Sequence, residues 1–276
     1  MDKPIILAEV PSFVRPDHTL DLPAVETVIH RLIDAGYTAL IIAGTAGEYE
    51  NLTLEEQHRL IAAAVAAADG KATIIAGAFE LGTAKAAARI REHAALGCHH
   101  HLCIPAHYFG FGDSGELQLH FRTLAETGDT IIILDSAEHV GYLIPEDVRK
   151  RLLSIPGVKA IACHATDVTK TGSAAIVREE MRLAGVDARA IISRLAVLFP
   201  KLCRQEHLKP STRQLMLQLL SIGRHPAATV KHAARYLGLC VCSEVLPPFA
   251  GLSAHDMRAI ESICSVLAEE ERLLHA

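Results

Sequence analysis

Residues 38–76 read TALIIAGTAGEYENLTLEEQHRLIAAAVAAADGKATIIA, one complete strand–helix–strand passage. Thr38–Ala43 is an apolar run of strand length. Leu54–Ala68 carries apolar residues at helical spacing, and Thr53 with Glu56 three residues later forms a capping box at its entrance. Ala72–Ala76 is a strand again. Both strands are near-continuously apolar, the pattern of a parallel sheet covered on its two faces.

The same rhythm extends in both directions. Ile5–Val10 reads as a strand and Leu22–Ala35 as a helix. After the quoted stretch come a helix over Thr83–Leu96 closed by Gly97, a strand at His101–Ile104, a helix over Leu117–Thr127 and a strand at Thr130–Leu134. Pro145 opens a helix running to about Leu153, and Val158–Cys163 is a sixth strand. Strands alternating with helices make parallel βαβ units. Six such units by Cys163 point to an α/β fold of the TIM (β/α)8 type, closing at eight strands. Periodicity alone is equally compatible with an open doubly wound sheet. The absence of a Gly-rich phosphate loop after the first strand argues against the dinucleotide-binding version.

Beyond Cys163 the rhythm breaks. Ser173–Val177 reads as a short strand or the start of a helix, Glu179–Ala184 as a helix, and Arg189–Ser193 as the last strand. Everything after Leu195 is helical in pattern, with breaks near Pro210, Gly223–Pro226 and Pro247-Pro248. The expected organisation is a barrel over residues 1–195 and a C-terminal helical region, a bundle packed on the barrel, over residues 196–276.

Composition limits the function classes. Half of the 276 residues are apolar and 21% are charged, as in a globular protein with a large core. Twenty-seven Lys and Arg against 32 Asp and Glu, with no Trp, argue against a nucleic-acid partner. No window approaches the roughly 18 uninterrupted apolar residues of a membrane span. Met1-Asp2-Lys3-Pro4 lacks the order of a signal peptide. The seven cysteines form no Cys-x-x-Cys pair, which suits reduced thiols and a cytoplasmic setting.

Gly44-Thr45-Ala46-Gly47-Glu48, followed by Leu52-Thr53-Leu54-Glu55-Glu56, resembles the GTTGE and L-T-x-E-E stretch of the dihydrodipicolinate synthase / N-acetylneuraminate lyase family of class I aldolases. Pro105-Ala106-His107-Tyr108 is similar to that family's P-P-Y-Y loop. His225-Pro226-Ala227-Ala228-Thr229-Val230-Lys231, with Leu237-Gly238-Leu239 and Leu246-Pro247-Pro248, is similar to its C-terminal N-P-x-P-x-K, LGL and RLP pattern. The resemblance runs through nearly the whole chain in order. It implies an eight-stranded barrel with a C-terminal helical bundle, a small carboxylated substrate, and assembly as a homodimer or homotetramer. It implies no cofactor.

In this family a sixth-strand lysine in a G-I-K-D sequence, six residues after a loop proline, attacks a keto acid to form a Schiff base. Here Pro156 is the loop proline, and six residues on stands Ala162, followed by Cys163 and His164. Alanine has no nucleophile. Lys159 matches only after a three-residue slip, and an odd slip sends the side chain to the opposite face. The family's second signature threonine is Ala46 here, the tyrosine ending its fifth strand is Asp135, and the arginine after that strand is replaced by His139 or Val140. Tyr108 alone fits its expected place. The stretch from Ala162 to Ser193 is also shorter than the family's, so the helix after strand six or strand seven itself must be cut down, which would expose ladder edges unless something covers them.

The expected site therefore lies at the C-terminal rim of the barrel, where loops vary without disturbing the core. Tyr108, Asp135 and His164 are the candidate acid and base groups. Thr45, Ala46, His107, Ser136, His139 and Cys163 are candidate substrate-binding residues. Glu48 reads as structural, sitting where the turn must satisfy backbone donors. Cys163 and His164 are sequence neighbours on a strand and point to opposite faces. His99 and His101 share a face with Cys103, but no His-x-x-x-His or Cys-x-x-Cys spacing makes them a metal site. Three functions compete: acid/base lyase, hydratase or cyclisation chemistry on a keto or hydroxy carboxylate, an imine-forming aldolase using Lys159 or another lysine, and a non-catalytic binding or partner homologue.

Overall fold

Seven parallel strands run in chain order around a closed barrel in a computed structural model that describes residues 5–105, 113–164, 190–205, 208–223 and 225–274. They are β1 (Ile5–Glu9), β2 (Ala39–Ile42), β3 (Thr73–Ala78), β4 (His100–Cys103), β5 (Thr130–Leu134), β6 (Val158–His164) and β7 (Ala190–Ser193). The expectation of eight strands is corrected by the pairing around β7. On one side Ala162, Cys163 and His164 of β6 face Ala190, Ile191 and Ile192, and on the other Ile5 to Ala8 of β1 face Ala190 to Ser193. Both edges of β7 are used, so no gap remains for an eighth strand. The open ladder edges expected from a shortened barrel do not arise, because closure at seven pairs every edge. Ser173–Val177 and Glu179–Ala184 lie outside the described residues.

The helices follow local chemistry. α1 (Leu22–Asp34), α2 (Leu54–Ala68), α3 (Thr83–Ala95), α4 (Ser114–Ala125), the short α5 (Ala137–Val140) and α6 (Glu146–Leu153) surround the strands. At α2 the Glu56 backbone N–H donates to Thr53 Oγ1 at 3.3 Å, and Glu56 returns a carboxylate to the Thr53 N–H at 2.8 Å. Pro145 stands just before α6. After β7 come α7 (Pro210–Ser221), α8 (Pro226–Tyr236) and α9 (Ala254–Leu273), the first two opened by prolines that supply the helical φ and need no donor. None of the helices among the described residues is long and apolar enough to cross a membrane.

One apolar cluster joins the barrel interior to the last three helices: Leu134, Ala162 and Ile192 belong to it together with Met216, Val230 and Leu267. A second, smaller cluster lies outside the strands, where Ile133 and Ile161 meet Phe121, Leu124 and Leu152. The two clusters sort strand residues by face, inward for Ala162 and outward for Ile161. Between β5 and β6 the register slips from Ile131↔Val158 to Ile132↔Ala160, which leaves Lys159 over. Lys159 is exposed, at the end of β6 remote from its C-terminus.

Glu48 joins the barrel to the C-terminal region. It sits at φ 52 after β2, is buried, and accepts from the Leu246 N–H at 2.7 Å and from the buried Lys231 ammonium on α8. Two donors on one buried carboxylate give the neutralisation that a charge out of water requires.

His93 on α3 and His101 on β4 stack in the layer between helix and strand, ring centroids 5.7 Å apart, both fully buried. None of their four ring nitrogens has a hydrogen-bond partner. Burial pushes His93 down to about 3, with His101 adding to the effect, and His101 down to about 4 against the opposing pull of Asp129 at 3.9 Å. Both are therefore neutral when folded and protonate near pH 6.5 when unfolded. The folded-state values lie below the unfolded one, so the stability is complete above pH 6.5 and drains as pH falls towards 4. Each group contributes about 1.4 kcal/mol of loss per pH unit in that window. Urea unfolding of His93→Gln at pH 7.5 and pH 5.0 is expected to lose about 2 kcal/mol less between the two conditions than the unmodified chain. An unchanged pH slope would remove His93 from this account.

Candidate functional site

Strand β2 ends at Ile42, Ala43 follows at φ 48, and the chain turns through Gly44-Thr45-Ala46-Gly47 before the short helical turn Tyr49–Asn51. Two glycines make this geometry. A Cβ on Gly77 of β3 would lie 2.0 Å from the Ala43 carbonyl oxygen, and one on Gly44 would lie 2.5 Å from a carboxylate oxygen of Glu9. The turn thus sits directly over the C-terminal end of β1, where Glu9 points up from the last position of the strand.

Glu9 organises the mouth. Its Oε1 accepts from Thr45 Oγ1 at 2.8 Å and from the Ala46 N–H at 3.0 Å. Its Oε2 accepts from Arg194 Nε at 3.3 Å, so the carboxylate and the guanidinium form an ion pair in which neither group is more than slightly exposed. Arg194 follows β7 immediately. Its Nη2 reaches Thr45 Oγ1 at 3.2 Å and His164 Nε2 at 3.3 Å. Thr45 Oγ1 also lies 3.3 Å from His164 Nε2. Four side chains from the ends of β1, β2, β6 and β7 converge on one point.

The protonation of His164 follows from its neighbours. A guanidinium only donates, so Nε2 presents its lone pair to Arg194 and Nδ1 carries the proton. Nδ1 lies 4.0 Å from Glu9 Oε2. Burial holds His164 well below the ordinary histidine range, with the Arg194 charge and His139 adding to the effect. It is a neutral imidazole with a directed lone pair at neutral pH.

The other expected residues divide into groups. Thr45, Ala46 and His164 belong to the cluster, Ala46 through its backbone alone. His139 stands beside it, its ring 5.2 Å from that of His164, and Ser136 Oγ lies 2.9 Å from His139 Nδ1. Cys163 is buried on the face opposite His164, as the alternation of the strand requires. Asp135 follows the inward Leu134 and so takes the outward direction. Its Oδ2 accepts from Arg149 Nε and Nη2 at 2.6 Å and its Oδ1 from the Ile144 N–H at 2.9 Å, an arrangement that fixes α6 and the loop before it. His107 and Tyr108 lie outside the described residues.

Glu9, Arg194 and Glu138 were not among the expected residues. Glu9 had a visible signal, a lone acid in an otherwise apolar strand. Arg194 had none, because its partner is 185 residues away. Glu138 on α5 approaches Arg194 Nη1 at 3.5 Å from the solvent side.

A cavity of about 170 Å³ opens over the cluster, where one water needs about 10–15 Å³. Thr45, Glu138, His139 and Arg194 line its barrel side, and His225 stacked on Phe249 lines the side of the C-terminal helices. No lysine is among the described lining residues. The histidine run stands elsewhere: His99 meets Asp129 at 2.8 Å on the surface, and His101 points outward into the helix layer. Among the described residues no group of three or more His, Cys, Asp or Glu is placed to hold a metal ion.

Comparison with known proteins gives a consistent likeness. The family model for the dihydrodipicolinate synthetase family matches residues 3–188. The 4-hydroxy-tetrahydrodipicolinate synthase of Xanthomonas campestris pv. campestris is 30% identical over 217 residues, covering 77% of this chain and 71% of that protein. The enzyme of the same name from Hyphomonas neptunium is 28% identical over 288 residues, covering 94% and 96%. Among solved structures, the chloride-inhibited dihydrodipicolinate synthase of Acinetobacter baumannii complexed with pyruvate superposes with a TM-score of 0.82 at 18% identity, covering 97% of this chain and 99% of that one.

The buried pair at the mouth is directly testable. Glu9→Leu leaves the buried Arg194 guanidinium with only the half-exposed Glu138 as counter-charge and is expected to cost about 3 kcal/mol in urea unfolding. Replacing both partners, Glu9→Leu with Arg194→Met, is expected to recover more than half of that loss, because the stranded charge is gone. Equal stability of the single and double variants would mean that the pair is solvated.

Proposed function

The chain belongs to the dihydrodipicolinate synthetase family, and from that premise we propose that it is a lyase-type enzyme acting on a small keto or hydroxy carboxylate by acid/base chemistry without a lysine imine. The observation that carries this reading is the pair of inward positions at the end of β6. Ala162 offers only a methyl group, and two residues on the buried His164 brings a neutral imidazole within 3.3 Å of Thr45 and Arg194, which line the cavity. Lysines elsewhere support it by their placement: Lys159 is exposed at the bulge, and Lys231 is taken up by Glu48.

An imine serves as an electron sink, and without one the substrate's own carbonyl oxygen must take the charge. Donors aimed at that oxygen in a water-poor site do this work. In the proposed complex the carbonyl oxygen takes the place of His164 Nε2 as acceptor for Arg194 Nη2, while the Thr45 hydroxyl, its proton given to Glu9, accepts from the same nitrogen and keeps it aligned. The freed Nε2 lone pair removes the proton from the carbon beside the carbonyl, and the resulting charge rests on oxygen against the Arg194 guanidinium. Microscopic reversal returns the proton. Glu9 keeps its charge throughout and holds the Arg194 and Thr45 donors in place. The depressed basicity of His164 keeps it unprotonated, and so competent as a base, down to mildly acidic pH.

Exchange of the pyruvate methyl protons in deuterated water, followed by NMR, tests the proposal without knowledge of the natural substrate. The protein is expected to catalyse exchange, His164→Gln to lower the rate by about a hundredfold, and borohydride treatment with pyruvate to leave the intact mass unchanged. A reduced adduct on any lysine, or exchange that survives the loss of the imidazole, would sink the imine-free scheme.

A further inference from the structure

Arg194 is divided between four partners, and the division is directional. Nε is spent on Glu9, which lies below it in the barrel. Nη2 faces inward to Thr45 and His164. Nη1 faces the cavity, where its partner is the Glu138 carboxylate at 3.5 Å. Nη1 is therefore turned toward the space that a ligand enters and is covered by an acid of the protein's own, while Nη2 beside it is held by Thr45 and His164.

The Glu138 contact is unlike the Glu9 contact. Glu9 is fully buried and immobilised by three donors, whereas the Glu138 side chain is 45% exposed on the four-residue helix α5. A long, solvated ion pair of this kind contributes about 0–1 kcal/mol. It is readily exchanged for a second carboxylate that brings an additional hydrogen bond.

We infer that Arg194 is the recognition residue for a 2-oxo monocarboxylate, held on its Nη1–Nη2 edge, and that Glu138 is an internal stand-in for the ligand carboxylate which must leave before the ligand binds. The reading rests on the acid/base function proposed for the same site and adds its specificity. A planar fork of parallel donors matches two oxygens on adjacent carbons, one from the carboxylate on Nη1 and one from the keto group on Nη2. A 2-oxo acid presents that pair in one plane. The keto oxygen then falls beside Thr45 Oγ1 and His164, where the proposed chemistry needs it. A ligand with a second carboxylate would keep Glu138 and Glu50 of the cavity lining as like charges beside it, so the mouth favours monocarboxylates. The family arrangement, an arginine after the fifth strand, is absent here, and this guanidinium arrives from the seventh.

Calorimetric titration of the full chain with pyruvate, and with propionate as the analogue lacking the keto oxygen, tests the assignment. Glu138→Gln removes the competing charge on an exposed side chain and is expected to tighten pyruvate binding about fivefold, equivalent to about 1 kcal/mol. Arg194→Lys keeps the charge but loses the fork, and is expected to weaken pyruvate by at least about tenfold while bringing its affinity down to that of propionate. Pyruvate affinity unchanged or weakened in Glu138→Gln overturns the stand-in, as does a chain that binds pyruvate no better than propionate. His164→Gln separates this from the catalytic reading: it is expected to keep pyruvate affinity within about threefold while exchange is lost. Normal binding with unaltered exchange refutes the base alone, and an inert Glu138 refutes the recognition scheme alone.

Discussion

A carboxylate at the top of the first strand and a guanidinium just past the last hold this barrel's mouth in one arrangement. Glu9 and Arg194 flank the seam where β7 meets β1, the seam that closes a barrel of seven strands instead of eight. Neither charge has water enough to stand alone, so each fixes the other, and what they share is fixed with them. Thr45 and the Ala46 N–H are drawn down onto Glu9, and His164 is held neutral against Arg194. The turn over Glu9 fits only because Gly44 has no side chain, and Gly77 lets the preceding carbonyl approach. Backbone, ion pair and imidazole are thus one unit, which moves together or not at all.

Much of the fold was legible because the signals were local. The capping box at Thr53, the proline before α6 and the apolar runs placed β1 to β7 and the longer helices up to α6 within three residues of where they stand, while for α7 to α9 the prolines marked only the breaks between helices. The strand count was not legible. It depends on whether β6 can reach β7 directly, a pairing across 25 residues that no periodicity encodes. The shortened spacing signalled that something was missing but not how the ladder would heal.

The site was legible where the family motifs mark it and obscure where the chain has its own solution. Thr45 became a candidate through the family's motif and His164 through its place two residues after Ala162, and the two stand 3.3 Å apart. Asp135 illustrates how alternation can be overlooked: the rule that separates Cys163 from His164 also turns Asp135 away from the interior once Leu134 is seen to face inward. Glu9 was visible as an isolated acid in a covered strand, where a charge demands a partner. Its partner was invisible, because a sequence separation of 185 residues carries no spacing signal and only closure of the barrel brings the two together.

The cost of this mouth bears on whether it works or merely survives. Replacing a buried ion pair by apolar side chains of similar volume is often neutral or stabilising, by about 1–4 kcal/mol. A barrel that had lost its chemistry would therefore gain from filling the space beside Ala162 with a methyl-bearing core, as the lower layers of this barrel already do. Instead the mouth around it carries Glu9, Thr45, His164 and Arg194, each oriented by at least one of the others, with Thr45 and Arg194 lining an open cavity. Natural sequences break the rule of apolar interiors chiefly where function requires it and offset the loss elsewhere. A second buried pair, Glu48 with Lys231, pins the C-terminal helices against the same turn, on the side of the cavity that His225 and Phe249 line. Two costly ion pairs on either side of one small cavity are better explained by a site that must stay preorganised than by a relic.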